Sequence, residues 1–179
     1  LFSAYEEAQS LGHIRRLPRL HAVQTRGCYP LVRAYQRLVD DLQRRHGWQL
    51  TDDAEIRAME LRDKLGLDGI NAEIRRAARN RSSYMEPWST VPHSIAHGIL
   101  DDETYDWLPV VRGMLLSAGY PILIDEPDIK HALYLGRSCT GINVCATGAS
   151  SLAGLCVLLT TQPHIRRERV GVLFTGRQR

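Results

Sequence analysis

The sequence predicts an α/β fold with a partly parallel sheet. Short apolar segments typical of strands alternate with longer segments that carry apolar residues at helical spacing. The hydrophobic fraction is 44% and the charged fraction 24%, which are ordinary values for a globular protein. At 179 residues, the chain is long enough for one domain with its own core.

Four short segments are predicted as strands. Three are apolar stretches, at 20–24 (LHAVQ), 120–124 (YPILI) and 169–174 (RVGVLF), and the fourth is a small strand at 142–144. Helices fall between them, so consecutive strands can lie parallel in one sheet. Ligand sites of such sheets lie at the carboxyl ends of strands and at the helices that follow.

The longer segments are predicted as helices. In 30–45, apolar residues recur at helical spacing, Pro30 lies in the first turn and Gly47 marks the end. The segments within 47–80 carry many charges and are expected at the surface. The predicted helices are 2–11, 30–45, 52–65, 70–79, a short one at 94–99, 103–116, 127–137 and 148–159.

Composition excludes several classes of protein. The net charge of +3 is too even to indicate a nucleic-acid or membrane partner. No apolar run approaches the ~18 residues that a membrane-spanning helix needs. Glu6 and Glu7 stand where a secretory leader would be apolar, so a cytoplasmic protein is expected. Because the sequence begins at Leu1 rather than Met, it is expected to be a piece of a longer chain.

Metal-binding and redox motifs are sparse. The four cysteines form no CxxC pair, which favours reduced thiols used in packing. His93 and His97 have the i,i+4 spacing of a helical metal site, but no third ligand is evident. Solvated or helix-lining histidines are the favoured interpretation, and no metal site is expected.

Three turns are candidate sites. The stretch NVCATGASSLAGL, which includes Thr147-Gly148, could admit an anion or flat cofactor to backbone N–H groups, or give clearance for a helix on a sheet. Thr175 could cap a sheet edge or face a ligand. Near the turn at 94–98, the acids Asp101, Asp102 and Glu103 could be catalytic or could begin a helix.

These segments together resemble a known family. LPRLHAVQTRGCYPLVRAY, SSYMEPWSTVPHSIAHGILDDETYDW, GINVCATGASSLAGL and RVGVLFTGRQR are similar to the C-terminal half of threonine-synthase-like enzymes. Those are pyridoxal-phosphate enzymes of the tryptophan synthase β superfamily (fold type II). The resemblance implies a three-layer α/β catalytic domain, with a mostly parallel sheet flanked by helices, whose C-terminal part is residues 1–179. It is weakest over the helical surface segment at about 47–80.

The resemblance also assigns cofactor-binding residues. Thr175, followed by Gly176, matches the hydroxyl residue that bonds to the pyridine nitrogen of pyridoxal 5′-phosphate. Gly98 matches a glycine that lets the ring lie close. Cys145 stands where many relatives carry an acid beside the cofactor, and His97 stands where relatives often carry Asp.

The catalytic lysine of the family has no counterpart here. It lies in the N-terminal half of relatives, together with the phosphate-binding loop. Lys64 and Lys130 are the only lysines, and neither has the family's sequence context. The chain is therefore expected to carry no catalytic residue and to be inactive by itself, whereas its parent protein is expected to be an enzyme.

The expected activity is that of a lyase on an amino acid. The leading interpretation is threonine synthase-like, converting O-phosphohomoserine to threonine. An amino-acid ammonia-lyase or a β-replacing enzyme is the alternative within the superfamily. A non-catalytic binding or regulatory remnant, which associates through an exposed sheet edge, is the alternative of another class. The expected partners are a small amino-acid substrate and, for the full-length protein, a second copy in a homodimer.

Overall fold

A computed structural model describes residues 1–178, and residue 179 lies outside the description. The chain divides into two compact units built from interleaved segments. The first unit contains 1–22, 33–86 and 104–121, and the second contains 23–32, 87–103 and the chain from 122 onward.

The first unit is helical. Its elements are α1 (Phe2–Ser10), α2 (Pro30–His46, whose first three residues belong to the second unit), α3 (Ala54–Arg79), α4 (Arg81–Tyr84) and α5 (Trp107–Ser117). Because α2 and α3 each present an apolar stripe, they bury large side chains along one face. The most deeply buried large side chains of this unit include Leu38, Leu42, Leu61, Ile70 and Trp107.

The two helices predicted within 47–80 form the single, kinked helix α3. Its backbone leaves helical geometry at Gly66, where φ is 62° and ψ is −178°. Asp53 caps the helix by accepting a hydrogen bond from the Ile56 N–H at 2.9 Å. The sequence predicts a surface location for this segment. That prediction is right for one face of α3 only, because Leu61 and Ile70 on the other face are fully buried.

Charged side chains are also buried in the first unit. We call Asp41, Arg44, Arg45, Glu73, Arg76 and Tyr84 the Asp41 cluster. Asp41 and Glu73 are only 8% and 9% exposed. Asp41 accepts from Arg45 and Arg76 at 2.8 Å each and from the Tyr84 hydroxyl at 2.9 Å. Burial alone would raise the pKa of Asp41, but bonds from Arg45, Arg44 and Tyr84 outweigh it and lower that pKa to about 2.

The second unit contains the sheet. Strands β1 (Val23–Thr25) and β2 (Ile122–Ile124) pair in parallel, with Val23 opposite Ile122. Helices α6 (Glu126–Thr140) and α7 (Ala146–Thr161) pack on each other, and α7 also contacts both strands. Gly154 allows the close approach of α7, since a Cβ there would lie 2.6 Å from Val23 Cγ2. Two 3-10 turns, His97–Ile99 and Pro163–Arg167, complete the unit.

The sheet is smaller than the sequence predicts. Residues 20–22 lie outside β1, because the Leu20 N–H donates to Ser117 Oγ at 3.1 Å rather than to a neighbouring strand. The predicted strand at 142–144 is reduced to one antiparallel bridge between Val144 and Arg177. The described residues therefore form a mixed α/β fold around two parallel strands.

The predicted final strand is also wrong for the described residues. Residues 169–174 form no ladder within 1–178, and the Leu173 carbonyl instead accepts from Ser151 Oγ at 2.6 Å. A strand needs a neighbour that takes up its alternate backbone groups, and a serine side chain supplies only one bond.

Two helix boundaries differ as well. Helix α5 begins at Trp107 rather than at Glu103, so Asp101 and Asp102 do not lie in its first turn. The predicted helix at 94–99 is only the turn His97–Ile99, and Ser94 Oγ accepts from the Ala96 N–H at 3.1 Å without capping that turn. None of the helices within residues 1–178 has both the length and the apolar character needed to cross a bilayer.

Candidate functional site

The first turn of α7 is the centre of the candidate site. The first N–H groups of a helix have no partner inside the helix, so the preceding residue commonly supplies one. Cys145 has this role, because its Sγ accepts from the Gly148 N–H at 3.4 Å. A thiol therefore occupies a position where Ser, Thr, Asn or Asp is usual.

One side of this turn holds Gly98. The Gly98 N–H donates to Thr147 Oγ1 at 3.0 Å. A Cβ at position 98 would lie 2.9 Å from Thr147 Cγ2, so the two residues are in close contact. Gly98 itself is exposed to solvent.

The other side of the turn holds the C-terminal segment. The Cys145 N–H donates to the Gly176 carbonyl at 3.2 Å. A Cβ at position 176 would lie 2.6 Å from Cys145 Sγ, and one at position 148 would lie 2.1 Å from the Gly176 oxygen. Farther along, the Gln178 N–H donates to the Asn143 carbonyl at 2.8 Å. Thr175 is exposed, and the residue that follows it, Gly176, is held in place by its contacts with Cys145 and Gly148.

The structure thus brings the predicted cofactor-binding residues together. We call Gly98, Cys145, Thr147, Gly148, Thr175 and Gly176 the α7 cluster. Gly98, Cys145 and Gly176 are joined through the first turn of α7, and Thr175 is joined through Gly176. Two glycines, at 98 and 176, are explained by contacts with Thr147 and Cys145. Thr147 is the member whose part in these contacts the sequence does not indicate.

The two lysines lie outside the α7 cluster. Lys64 belongs to the first unit, where its Nζ lies 5.5 Å from the centre of the Trp48 ring. Lys130 is exposed on α6, and lines a groove of about 460 Å³ with Leu133, Tyr134, Arg137 and Ser138.

The histidine pair does not have the geometry that its spacing suggests. His93 lies in an extended segment, while His97 begins a 3-10 turn, so they do not share a helix face. Both are exposed. Within residues 1–178, no group of three or more His, Cys, Asp or Glu side chains is arranged to hold a metal ion.

The cysteines are separate thiols, and no disulfide joins them in residues 1–178. Cys28 is fully buried, and its Sγ donates to the Asp101 carbonyl at 3.0 Å. Burial, with a smaller effect of the Asp128 carboxylate, raises the pKa of Cys156. Asp101 thus contributes its backbone oxygen to the packing around Cys28.

A second feature, which the sequence analysis missed, lies at the carboxyl ends of β1 and β2. A cavity of about 370 Å³ opens there, in the position where parallel sheets commonly hold ligands. Its lining includes an ion pair of 2.7 Å between Arg26 Nε and Asp125 Oδ1. The lining residues are Thr25, Arg26, Gly27, His93, Asp125, Glu126 and Pro127.

Glu126 is the most unusual residue in this lining. Its Oε2 accepts from the Ile95 N–H at 3.2 Å, while its Oε1 is buried and has no hydrogen-bond partner among the described residues. Buried carboxylate oxygens are rarely left in this state. The sequence contains one signal of this cavity, which is that the charged residues Arg26 and Asp125 directly follow the two strands. Charged residues also follow strands that hold no ligand, so this signal does not identify a site.

Comparison of the chain with models of protein families gave no match, and comparison with curated proteins gave none either.

Proposed function

We propose that the chain is the C-terminal part of a pyridoxal-phosphate-dependent lyase that acts on an amino acid. The proposed reaction is threonine synthase-like, from O-phosphohomoserine to threonine. One observation supports this most strongly: Gly98 and Gly176 are distant in sequence from each other, yet both pack on the start of α7, which Cys145 caps. The sequence resemblance assigns those residues, with Thr175, to one cofactor site.

The chemistry of the α7 cluster fits the pyridine ring of the cofactor. The ring nitrogen needs one hydrogen-bonding group, and Thr175 offers an exposed hydroxyl. The ring face needs a surface without bulky side chains, which Gly98 and Gly176 provide. Cys145 is half-buried at the edge of the same surface. These residues would hold the ring and no other part of the cofactor.

The neutral character of Thr175 bears on the reaction type. When bound, pyridoxal phosphate supplies an electron sink for bond breaking at an amino acid. A carboxylate at the ring nitrogen would hold a proton there, whereas a hydroxyl does not require one. The ring is then a moderate sink, which favours elimination and replacement over transamination. In this proposal, the lysine and the phosphate-binding loop come from parts of the protein beyond these 179 residues.

The proposal includes a larger architecture for the whole protein. Residues 169–174 would be one strand of the three-layer, fold type II sheet, which needs neighbouring strands that residues 1–178 do not provide. We also propose that the full-length protein is a cytoplasmic homodimer.

Product analysis with the full-length protein tests the function. Incubation with O-phosphohomoserine and pyridoxal phosphate is expected to release inorganic phosphate and threonine in equal amounts. Serine and threonine, offered as the comparison substrates, are expected to remain unchanged. Formation of pyruvate or 2-oxobutyrate without threonine would reject the threonine synthase assignment in favour of an ammonia-lyase.

A non-catalytic function is the second candidate. The observation in its favour is that residues 169–174 form no ladder within 1–178, and that Val170 and Leu173 are about half exposed. Such a segment could pair with a strand of another protein. Absence of any cofactor-dependent activity on the three amino acids, together with an unchanged cofactor spectrum, would favour this function.

A further inference from the structure

Each side of the first turn of α7 meets a glycine of the predicted cofactor site. At position 98, a Cβ would lie 2.9 Å from Thr147 Cγ2 and 3.0 Å from its Oγ1. At position 176, a Cβ would lie 2.6 Å from Cys145 Sγ. Cβ atoms do not normally approach other atoms this closely, so a larger residue at either position would have to move its neighbour.

The obstacle is a side chain in both cases. Beyond Thr147 Cγ2 and Oγ1, the nearest atom to a Cβ at 98 is Thr147 Cβ at 3.4 Å, which is an ordinary contact. Next nearest to a Cβ at 176 are backbone atoms of Gly148, at 3.3 Å and beyond. Shortening Thr147 or Cys145 to alanine would therefore remove the closest obstacle to alanine at the facing glycine. At 176, the remaining contact of 3.3 Å with the Gly148 nitrogen requires only a small shift of the backbone.

We propose that Thr147 and Cys145 are positioning residues, which fix the two segments that carry Gly98 and Thr175. Thr147 acts through its hydroxyl, which accepts the Gly98 N–H at 3.0 Å, and through its methyl group, which rests on the Gly98 backbone. Cys145 acts through its N–H, which donates to the Gly176 carbonyl at 3.2 Å, and through its Sγ. Contact with α7 thus requires glycine at 98 and 176, whether or not a ring is bound.

The packing part of this inference stands alone, while its consequence for the cofactor rests on the proposed function. If the two segments present Gly98 and Thr175 to opposite parts of one ring, then the first turn of α7 sets their separation. Loss of the Thr147 hydroxyl would leave the Gly98 N–H without its partner and allow the 97–99 turn to shift.

Gly148 provides an internal control. A Cβ at position 148 would lie 2.1 Å from the Gly176 oxygen and 2.7 Å from the Gly176 nitrogen, so its obstacle is backbone. No side-chain truncation can remove that obstacle. G148A is therefore expected to be damaging in every background, whereas G98A and G176A are expected to be damaging only beside the native neighbour.

Thermal unfolding of the full chain tests the packing part. We expect G98A and G176A each to lower Tm by about 5 °C, in line with overpacking of a fitted contact. G98A introduced into T147A, and G176A introduced into C145A, are expected to lower Tm by less than about 2 °C. Equal losses from G98A in both backgrounds, or recovery of G148A by either truncation, would overturn the packing argument.

Cofactor titration of the full-length protein tests the positioning role. T147V keeps the shape of the side chain without its acceptor, and is expected to weaken pyridoxal phosphate binding about tenfold. T147S keeps the acceptor and loses only the methyl contact, so it is expected to bind the cofactor more tightly than T147V does. The matched control is T160V, because Thr160 lies on the same helix and its hydroxyl donates to the Cys156 carbonyl of that helix at 3.1 Å. Equal affinity in T147V, T147S and T160V would overturn the positioning role.

The two measurements also separate this inference from the proposed function. If the wild type binds the cofactor and the alanine pairs show no recovery, the packing argument fails and the function stands. If the pairs recover and the wild type binds no cofactor, the packing argument stands, while the positioning role and the proposed function both fail.

Discussion

Asp41 illustrates, at the scale of a single residue, how charge is kept inside the first unit. Its carboxylate is 8% exposed, yet it accepts hydrogen bonds from Arg44, Arg45, Arg76 and Tyr84. A carboxylate buried without such partners would be strongly unfavourable. The cluster therefore depends on each donor remaining in place, and α2, α3 and α4 are tied together through it.

Asp41→Asn is expected to lower the free energy of unfolding at neutral pH by about 2 kcal/mol, because it weakens the charge-assisted hydrogen bonds that the buried carboxylate accepts from Arg45 and Arg76. Urea denaturation followed by circular dichroism measures this. Asp63→Asn is the matched control, since Asp63 is exposed and, within residues 1–178, pairs with Arg62 alone; its expected effect is below about 0.5 kcal/mol.

The lowered pKa of Asp41 also predicts that the free energy of unfolding depends on pH. The pKa of Asp41 is lowered from 3.8 to about 2, so the folded state holds this carboxylate ionised where the unfolded state binds a proton. The stabilisation is complete above about pH 4 and is lost as the pH falls through about 2. The difference in stability between wild type and Asp41→Asn should shrink over that interval, and a difference that stays constant would contradict the account.

At the scale of an element, the kink in α3 has an identifiable cause. Gly66 has φ 62° and ψ −178°, a combination that residues with a Cβ adopt only at considerable cost. A Cβ at 66 would meet nothing within 4 Å, so space is not the constraint. Gly69, three residues later in the same helix, has no positive φ, and a Cβ there would lie 3.3 Å from Leu65 Cβ.

Gly66→Ala is therefore expected to destabilise the chain by about 1–2 kcal/mol through backbone strain. Gly69→Ala is the comparison, because alanine's higher helix propensity offsets its tight contact with Leu65, and the expected change is within about 0.5 kcal/mol. Thermal unfolding of both variants distinguishes the two positions. Equal losses would show that the kink does not require glycine.

Helices were more predictable than strands because their signals are local. The prediction of 30–45 agrees closely with α2, since Pro30 and Gly47, the latter with φ 67°, mark its ends. Helix α6 extends beyond the predicted 127–137 at both ends, from a capping box of Asp125 and Asp128 at its start to Gly141, with φ 69°, at its end. The pattern of 169–174 is equally typical of a strand, but pairing depends on distant residues that the pattern does not specify.

At the scale of the whole molecule, the candidate site was only partly predictable. The resemblance selected Gly98, Cys145, Thr175 and Gly176. No local pattern indicates that the three segments that contain these residues meet. Thr147 could not be singled out, because its role depends on a contact 49 residues away along the chain. The cavity beside Glu126 was missed for the same reason, since its lining comes from three separate segments.

Titration of pyridoxal phosphate into the full-length protein, followed by visible absorbance, tests the central claim most directly. The account predicts saturable binding with an absorbance distinct from that of the free cofactor. It further predicts that Thr175→Val weakens this binding about tenfold, and that Thr160→Val leaves it unchanged. A spectrum identical to that of free cofactor, or equal affinity in the wild type and Thr175→Val, would contradict the claim that Thr175 faces the cofactor.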